Sequence, residues 1–66
     1  METLNEIFKE YNTTKQKVNA ALTFIMSNEF EKLDKITKIL LVQKYDLLHN
    51  YEDALKAIII HNNALN

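Results

Sequence analysis

Hydrophobic residues recur every three or four places along almost the whole of this 66-residue chain. Leu4, Ile7, Tyr11, Val18, Ala21 and Ile25 form one series, with Thr14 filling the gap between Tyr11 and Val18. An α-helix turns once per 3.6 residues, so these positions share a face. Phe8, Leu22 and Met26 widen the stripe. The pattern predicts a helix over residues 3–26, with Glu2 and Glu6 near the positive end of its dipole.

The stretch SNEFEKLD, residues 27–34, breaks the series. Ser27 or Asn28 is placed to cap a short turn that holds Phe30 and Leu33, two apolar anchors for the end of a hairpin. Asp34 is the expected N-cap of the next helix, accepting from the amide of Ile36 or Thr37. The chain has no glycine and no proline, so a compact helical corner is favoured over a loose loop.

A second helix is predicted over residues 35–61, frayed beyond Asn62, and it carries two apolar lines. Ile36, Leu40, Gln43, Leu47, Tyr51, Ala54 and Ile58 make the first; Leu41, Tyr45, Leu48, Leu55 and Ile59 make the second. Helix one needs only one of them. The second line must then face something else, and in water another copy of the same chain is the simplest cover. Leaving its four aliphatic residues exposed would forgo about 1.5–3 kcal/mol each. Which line is seam and which is interface stays open, because adjacent lines exchange roles on a modest helix rotation. The expected fold is all-α: two long antiparallel helices and a short helical corner, one domain over residues 1–66, assembled as a homo-oligomeric bundle, dimer or tetramer.

Composition supports assembly. A chain this short buries only about 60% of its unfolded surface alone, and small scaffolds usually gain disulfides, a metal or oligomerisation. Cysteine is absent, which removes disulfides and thiolate metal sites and fits a reducing compartment. The longest apolar runs, ILLV (39–42) and AIII (57–60), are far below the ~20 residues of a membrane span. The N-terminal stretch METLNEIFKEY is charged and amphipathic, unlike a signal peptide. These features predict a soluble cytoplasmic protein with no membrane partner.

Charge and chemistry narrow the function. Net charge is −1, from eight lysines and nine acids with no arginine, so the basic face of a DNA or RNA binder is missing. Without glycine there is no glycine-rich phosphate loop. His49 and His61 stand twelve residues apart, about 18 Å along a helix, and cannot share a metal within one chain. Ser27 has no base beside it, and the carboxylates alternate with lysines as on a solvated surface. No catalytic residue, metal site or cofactor is expected, and the chain is not read as an enzyme. Tyr11, Tyr45 and Tyr51 have apolar bodies and polar tips suited to stacking on a base or lining a core edge. Lys44 adjoins Tyr45, and Asn12, Lys15, Gln16 and Asn19 form a polar face that is either solvent surface or one wall of a pocket.

The second half resembles a family of short helical phage proteins first labelled from crAss-like phages. Their pattern runs F-x-x-L, then LL-x-x-Q-Y-x-x-M-x-x-Y-x-x-x-L-x-x-R-I. Here it reads Phe30 and Leu33, then Leu40, Leu41, Lys44, Tyr45, Leu48, Tyr51, Leu55, Ile58 and Ile59. An upstream K-I-x-K-L-x-x-F-I corresponds to KVNAALTFI (17–25), so the resemblance spans roughly residues 17–60. Lys44 stands where the family has glutamine and Ile58 where it has arginine, which removes a fork for phosphate and leaves a drier surface. The resemblance implies counter-defence in the cytoplasm of an infected bacterial host, by an anti-CBASS sponge that sequesters cyclic nucleotide signals between subunits without cleaving them. A cyclic dinucleotide such as cyclic GMP-AMP would be the ligand. Tyr11 or Tyr45 would stack on a base, Lys15 and Lys44 would meet phosphates, and Asn19 would read a base or ribose edge. The alternative is a small interaction module that inhibits a host protein through an apolar helix face; a ligand-free structural oligomer is the third reading.

Overall fold

The computed structural model describes residues 3–65, and their side chains as far as Asn63. Three helices account for nearly all of them: α1 (Leu4–Ile25), α2 (Asn28–Glu31) and α3 (Lys35–Leu65). No strand occurs among the described residues. The two long helices pack along each other as a hairpin, giving a molecule of 49 × 20 × 15 Å.

Local chemistry sets the boundaries. Thr3 caps α1, its hydroxyl accepting from the Glu6 amide at 3.2 Å. Glu6 lies in the first turn as expected, whereas Glu2 falls outside the described residues. The Ser27 hydroxyl donates to the Phe24 carbonyl and accepts from the Phe30 amide at 3.3 Å, so one side chain closes α1 and opens α2. Asp34 caps α3 from both oxygens: Oδ2 accepts from the Thr37 amide at 3.0 Å and Oδ1 from the Thr37 hydroxyl at 2.6 Å. No residue here has positive φ, so the corner turns without glycine. Helix α3 continues to Leu65, a turn beyond the end predicted at His61, with the Asn62 side-chain amide donating back to the Ile58 carbonyl at 2.8 Å.

Phe30 is buried and plugs the corner end, its ring edge-to-face with Phe24 at 6.3 Å and its face under the Lys38 ammonium at 5.8 Å. Along the seam, α1 contributes Ile7, Tyr11, Thr14, Val18, Ala21 and Ile25, all buried or half-buried. Phe8, Leu22 and Met26, which widen the stripe in sequence, stay outside the seam and exposed.

The structure decides between the two lines on α3. The second line is the seam: Leu55 and Ile59 are buried and Leu41, Tyr45 and Leu48 half-buried. The first line is left outside, with Ile36 69%, Leu40 58%, Leu47 71%, Tyr51 48% and Ile58 40% exposed. The physical reason lies in the middle of the first line. Burying it against α1 would desolvate the Gln43 amide and leave a void at Ala54, while the second line offers branched aliphatics at its buried positions.

The hairpin is thus thinly cored. Among the described residues only Val18, Phe30, Leu55 and Ile59 are buried apolar side chains, against thirteen large hydrophobics that are exposed. The accessible surface is 5246 Å². A compact monomer of this mass is expected to expose roughly 4,400 Å².

Candidate functional site

Near the corner, α1 carries Ala20 and Ala21 where it crosses Leu41 and Leu48 of α3. These methyl groups cannot fill the space between the helices, and a groove of about 530 Å³ opens there. That is the size of small-molecule sites, which run to several hundred Å³ with apolar walls and a few polar groups. Phe24 and Ile25 close the corner end, and Lys17 and Lys44, both exposed, supply the charge. No carboxylate lines the groove. An apolar trough with one aromatic ring and two ammonium groups suits a flat ligand that carries negative charge.

A second, more open depression of about 380 Å³ lies beside it on α3, formed by Leu40, Gln43, Leu47 and Tyr51. Lys44 and Leu48 border both. The groove therefore merges with the exposed line of α3.

Of the residues singled out in the sequence, only Lys44 lines the groove. The helical step of 100° per residue separates the others. On α1 the groove side is marked by Lys17, Ala20 and Phe24, so Tyr11, Lys15 and Asn19, each four residues apart, lie towards the opposite flank of the seam. Tyr45, one step round α3 from Lys44, is half-buried in the seam, with the His49 ring 5.9 Å from its own. Lys15 and Asn19 are exposed and Tyr11 half-buried. Helices α1 and α3 run antiparallel, and the groove is lined by residues between 17 and 25 of α1 and between 41 and 48 of α3. That register puts Tyr11 about ten residues, ~15 Å, along the axis from the level of Tyr45. One protomer brings Lys44 to the groove and leaves Tyr11, Lys15, Asn19 and Tyr45 on the other side.

Sequence reasoning passed over Lys17 and Phe24. Their signal was available: two alanines in succession on a helix face mark a place where a neighbour cannot fill the gap, and residues one turn away rim it. It also passed over a group on the flank of α3 away from the groove. Ligand atoms of His49, Glu52 and Asp53 lie within 4.8 Å of one another, and His49 Nδ1 is 3.5 Å from Asp53 Oδ2. The i, i+3, i+4 spacing of these three predicts the cluster. His49 and Asp53 are exposed, and the arrangement reads as a solvated polar contact.

No family model, curated protein or solved structure matches the chain. No described helix is long and apolar enough to cross a membrane.

Proposed function

We propose that this chain is a non-catalytic binding protein that self-associates and sequesters a cyclic dinucleotide at its subunit interfaces, without cleaving it. The observation that carries this reading is the groove between α1 and α3, with Lys17 and Lys44 at its edges and Phe24 in its wall, running into the uncovered line of α3. Sequestration needs a preorganised pocket with a ring to stack on and cations to meet phosphates, and it needs no acid, base or metal. Lysine rather than arginine makes the phosphate contacts point-charge contacts, so charge gathered from more than one protomer matters for affinity. A ligand in one groove does not meet Tyr11, Lys15, Asn19 or Tyr45 of the same protomer. The setting proposed is counter-defence in the cytoplasm of an infected bacterium; its support is the phage-family pattern carried by Phe30, Leu33, Tyr45 and Tyr51.

A second reading is favoured by the exposed line itself. Ile36, Leu40, Leu47, Tyr51 and Ile58 make the one-sided stripe by which a helix docks in a partner's groove, so the chain would inhibit a host protein. Native mass spectrometry of the protein, alone and with a panel of cyclic di- and trinucleotides, separates the two. The sponge reading expects a discrete oligomer that takes up a fixed number of nucleotides. Lys17→Ala and Lys44→Ala are each expected to weaken uptake without changing the oligomer. An oligomer that stays empty across the panel, or a monomer, overturns it and moves the function to a protein partner.

A further inference from the structure

The exposed line of α3 has a property that a docking stripe does not need: its spacing is a palindrome. Ile36, Leu40, Gln43, Leu47, Tyr51, Ala54 and Ile58 follow one another in steps of 4, 3, 4, 4, 3 and 4, symmetric about Leu47. All seven are exposed. A two-fold axis through Leu47, perpendicular to the helix, brings each residue against the one equally far on the other side of Leu47. Ile36 then meets Ile58 of the second copy, Leu40 meets Ala54, Gln43 meets Tyr51, and Leu47 meets Leu47.

We infer that α3 pairs with α3 of a second copy, antiparallel and two-fold about Leu47, and that this pairing completes the groove. The proposal rests on the self-association in the function proposed above and gives it a geometry. Each facing pair is chemically matched. Leu40 fills the space left by Ala54, the branched aliphatics close both ends and the centre, and Gln43 and Tyr51 come level with their polar groups on the two wet flanks of the contact. A closed two-fold contact requires this self-complementarity.

A parallel pair fits worse. It would set Gln43 on Gln43, leave Ala54 opposite Ala54, and align the helix dipoles. The five large exposed side chains of the line present roughly 600 Å² per protomer, which places a pair at the lower end of specific interfaces, about 1,200 Å² in total.

The consequence for the site follows from the angles. Lys44 lies on α3 between the outer line and the seam, so the groove opens on the flank that faces the second copy. A two-fold perpendicular to the helices keeps both α1 helices on one side of the pair. The two grooves then share a single cleft, with the Lys44 residues ~9 Å apart along the axis. On the same flank, Tyr51 of the second copy arrives within one residue's rise of Lys44. Each groove is incomplete without that tyrosine, and the cleft as a whole suits a ring with two phosphates.

Cysteine scanning tests the register, since the chain has no cysteine of its own. Under oxidation with diamide, Leu47→Cys is expected to cross-link to its mate. Ile36→Cys and Ile58→Cys should each stay uncross-linked alone and form the mixed disulfide when combined. Leu47→Glu should abolish the dimer wherever the parent is dimeric while leaving helicity intact, because Leu47 is exposed in the hairpin. Self-cross-linking of Ile36→Cys, or a Leu47→Glu protein that remains dimeric, overturns the geometry. Nucleotide titration of the cross-linked Leu47→Cys dimer keeps the two questions apart. A correctly cross-linked but empty dimer supports this pairing and overturns the sponge reading. Nucleotide uptake by a protein whose cross-links break the pattern overturns the pairing and leaves the sponge reading standing.

Discussion

Leu47 and Leu48 are neighbours in α3, yet Leu48 is half-buried against α1 while Leu47 is 71% exposed. The same contrast repeats at Leu40 and Leu41 and at Ile58 and Ile59. Each line is a helical stripe of similar length and residue type, so periodicity does not tell them apart. What separates them is what each would bury with it. The seam line carries branched aliphatics to α1, and Glu52, which falls in its gap, stays half-buried. The outer line carries an amide and a methyl in its middle. The two lines therefore divide the work: one makes the hairpin, and the other is free for contact beyond it.

Truncation on the two lines separates them most sharply. Leu55→Ala, in the seam, is expected to cost about 3 kcal/mol by urea denaturation at every protein concentration. Leu47→Ala should behave differently: it is expected to remove the concentration dependence of Tm and to leave the dilute-protein value nearly unchanged. If both variants lose equal stability at high dilution, the lines are not distinct. At the corner, Phe30→Leu keeps an apolar plug but loses the edge-to-face contact with Phe24, and a loss of about 1 kcal/mol is expected. Thr14 is 5% exposed and sits in the seam between Tyr11 and Val18. Thr14→Val is expected to change stability by less than about 1 kcal/mol, because no buried side-chain oxygen among the described residues is left without a partner. A larger fall in Tm would show that the Thr14 hydroxyl holds the helix.

The smallest effect is titratable. Hydrogen bonds from the Thr37 hydroxyl, and then from its amide, hold the Asp34 carboxyl below its ordinary value of 3.8. A carboxyl lowered on folding stabilises the folded state at pH above 3.8 and loses that contribution as pH falls through its folded value. Asp34→Asn keeps an N-cap without the charge. Acid titration followed by circular dichroism should show a shallower loss of helix for Asp34→Asn than for the parent below that pH.

Much of the hairpin is legible in the residues. The 3-4 series names α1, Ser27 and Asp34 name their caps, and Phe30 names the plug. The length of α3 is less so, because Asn62 and Asn63 are weak helix formers that interrupt the series before Ala64 and Leu65. Choosing the seam line requires the roll of α3 about its own axis, which is fixed by the corner and by α1 together. No single stretch of sequence contains that angle. The groove was partly legible: Lys44 was named for its charge, while Lys17 and Phe24 count only once Ala20 and Ala21 are seen to face Leu41 and Leu48. Tyr11, Lys15, Asn19 and Tyr45 were grouped by chemistry, and the fold sets them on the flank away from Lys44.

Because the corner, the caps and the seam use none of the seven outer-line side chains, mutation at Ile36, Leu40, Leu47 or Ile58 falls outside the side-chain interactions that hold the hairpin. A lineage of such chains is expected to keep its shape while that face drifts, exchanging one partner for another by a few substitutions. Changes at Val18, Leu55 or Ile59 have no such freedom, since each is felt by the opposite helix. The small core thus leaves this molecule easy to re-aim and hard to refold.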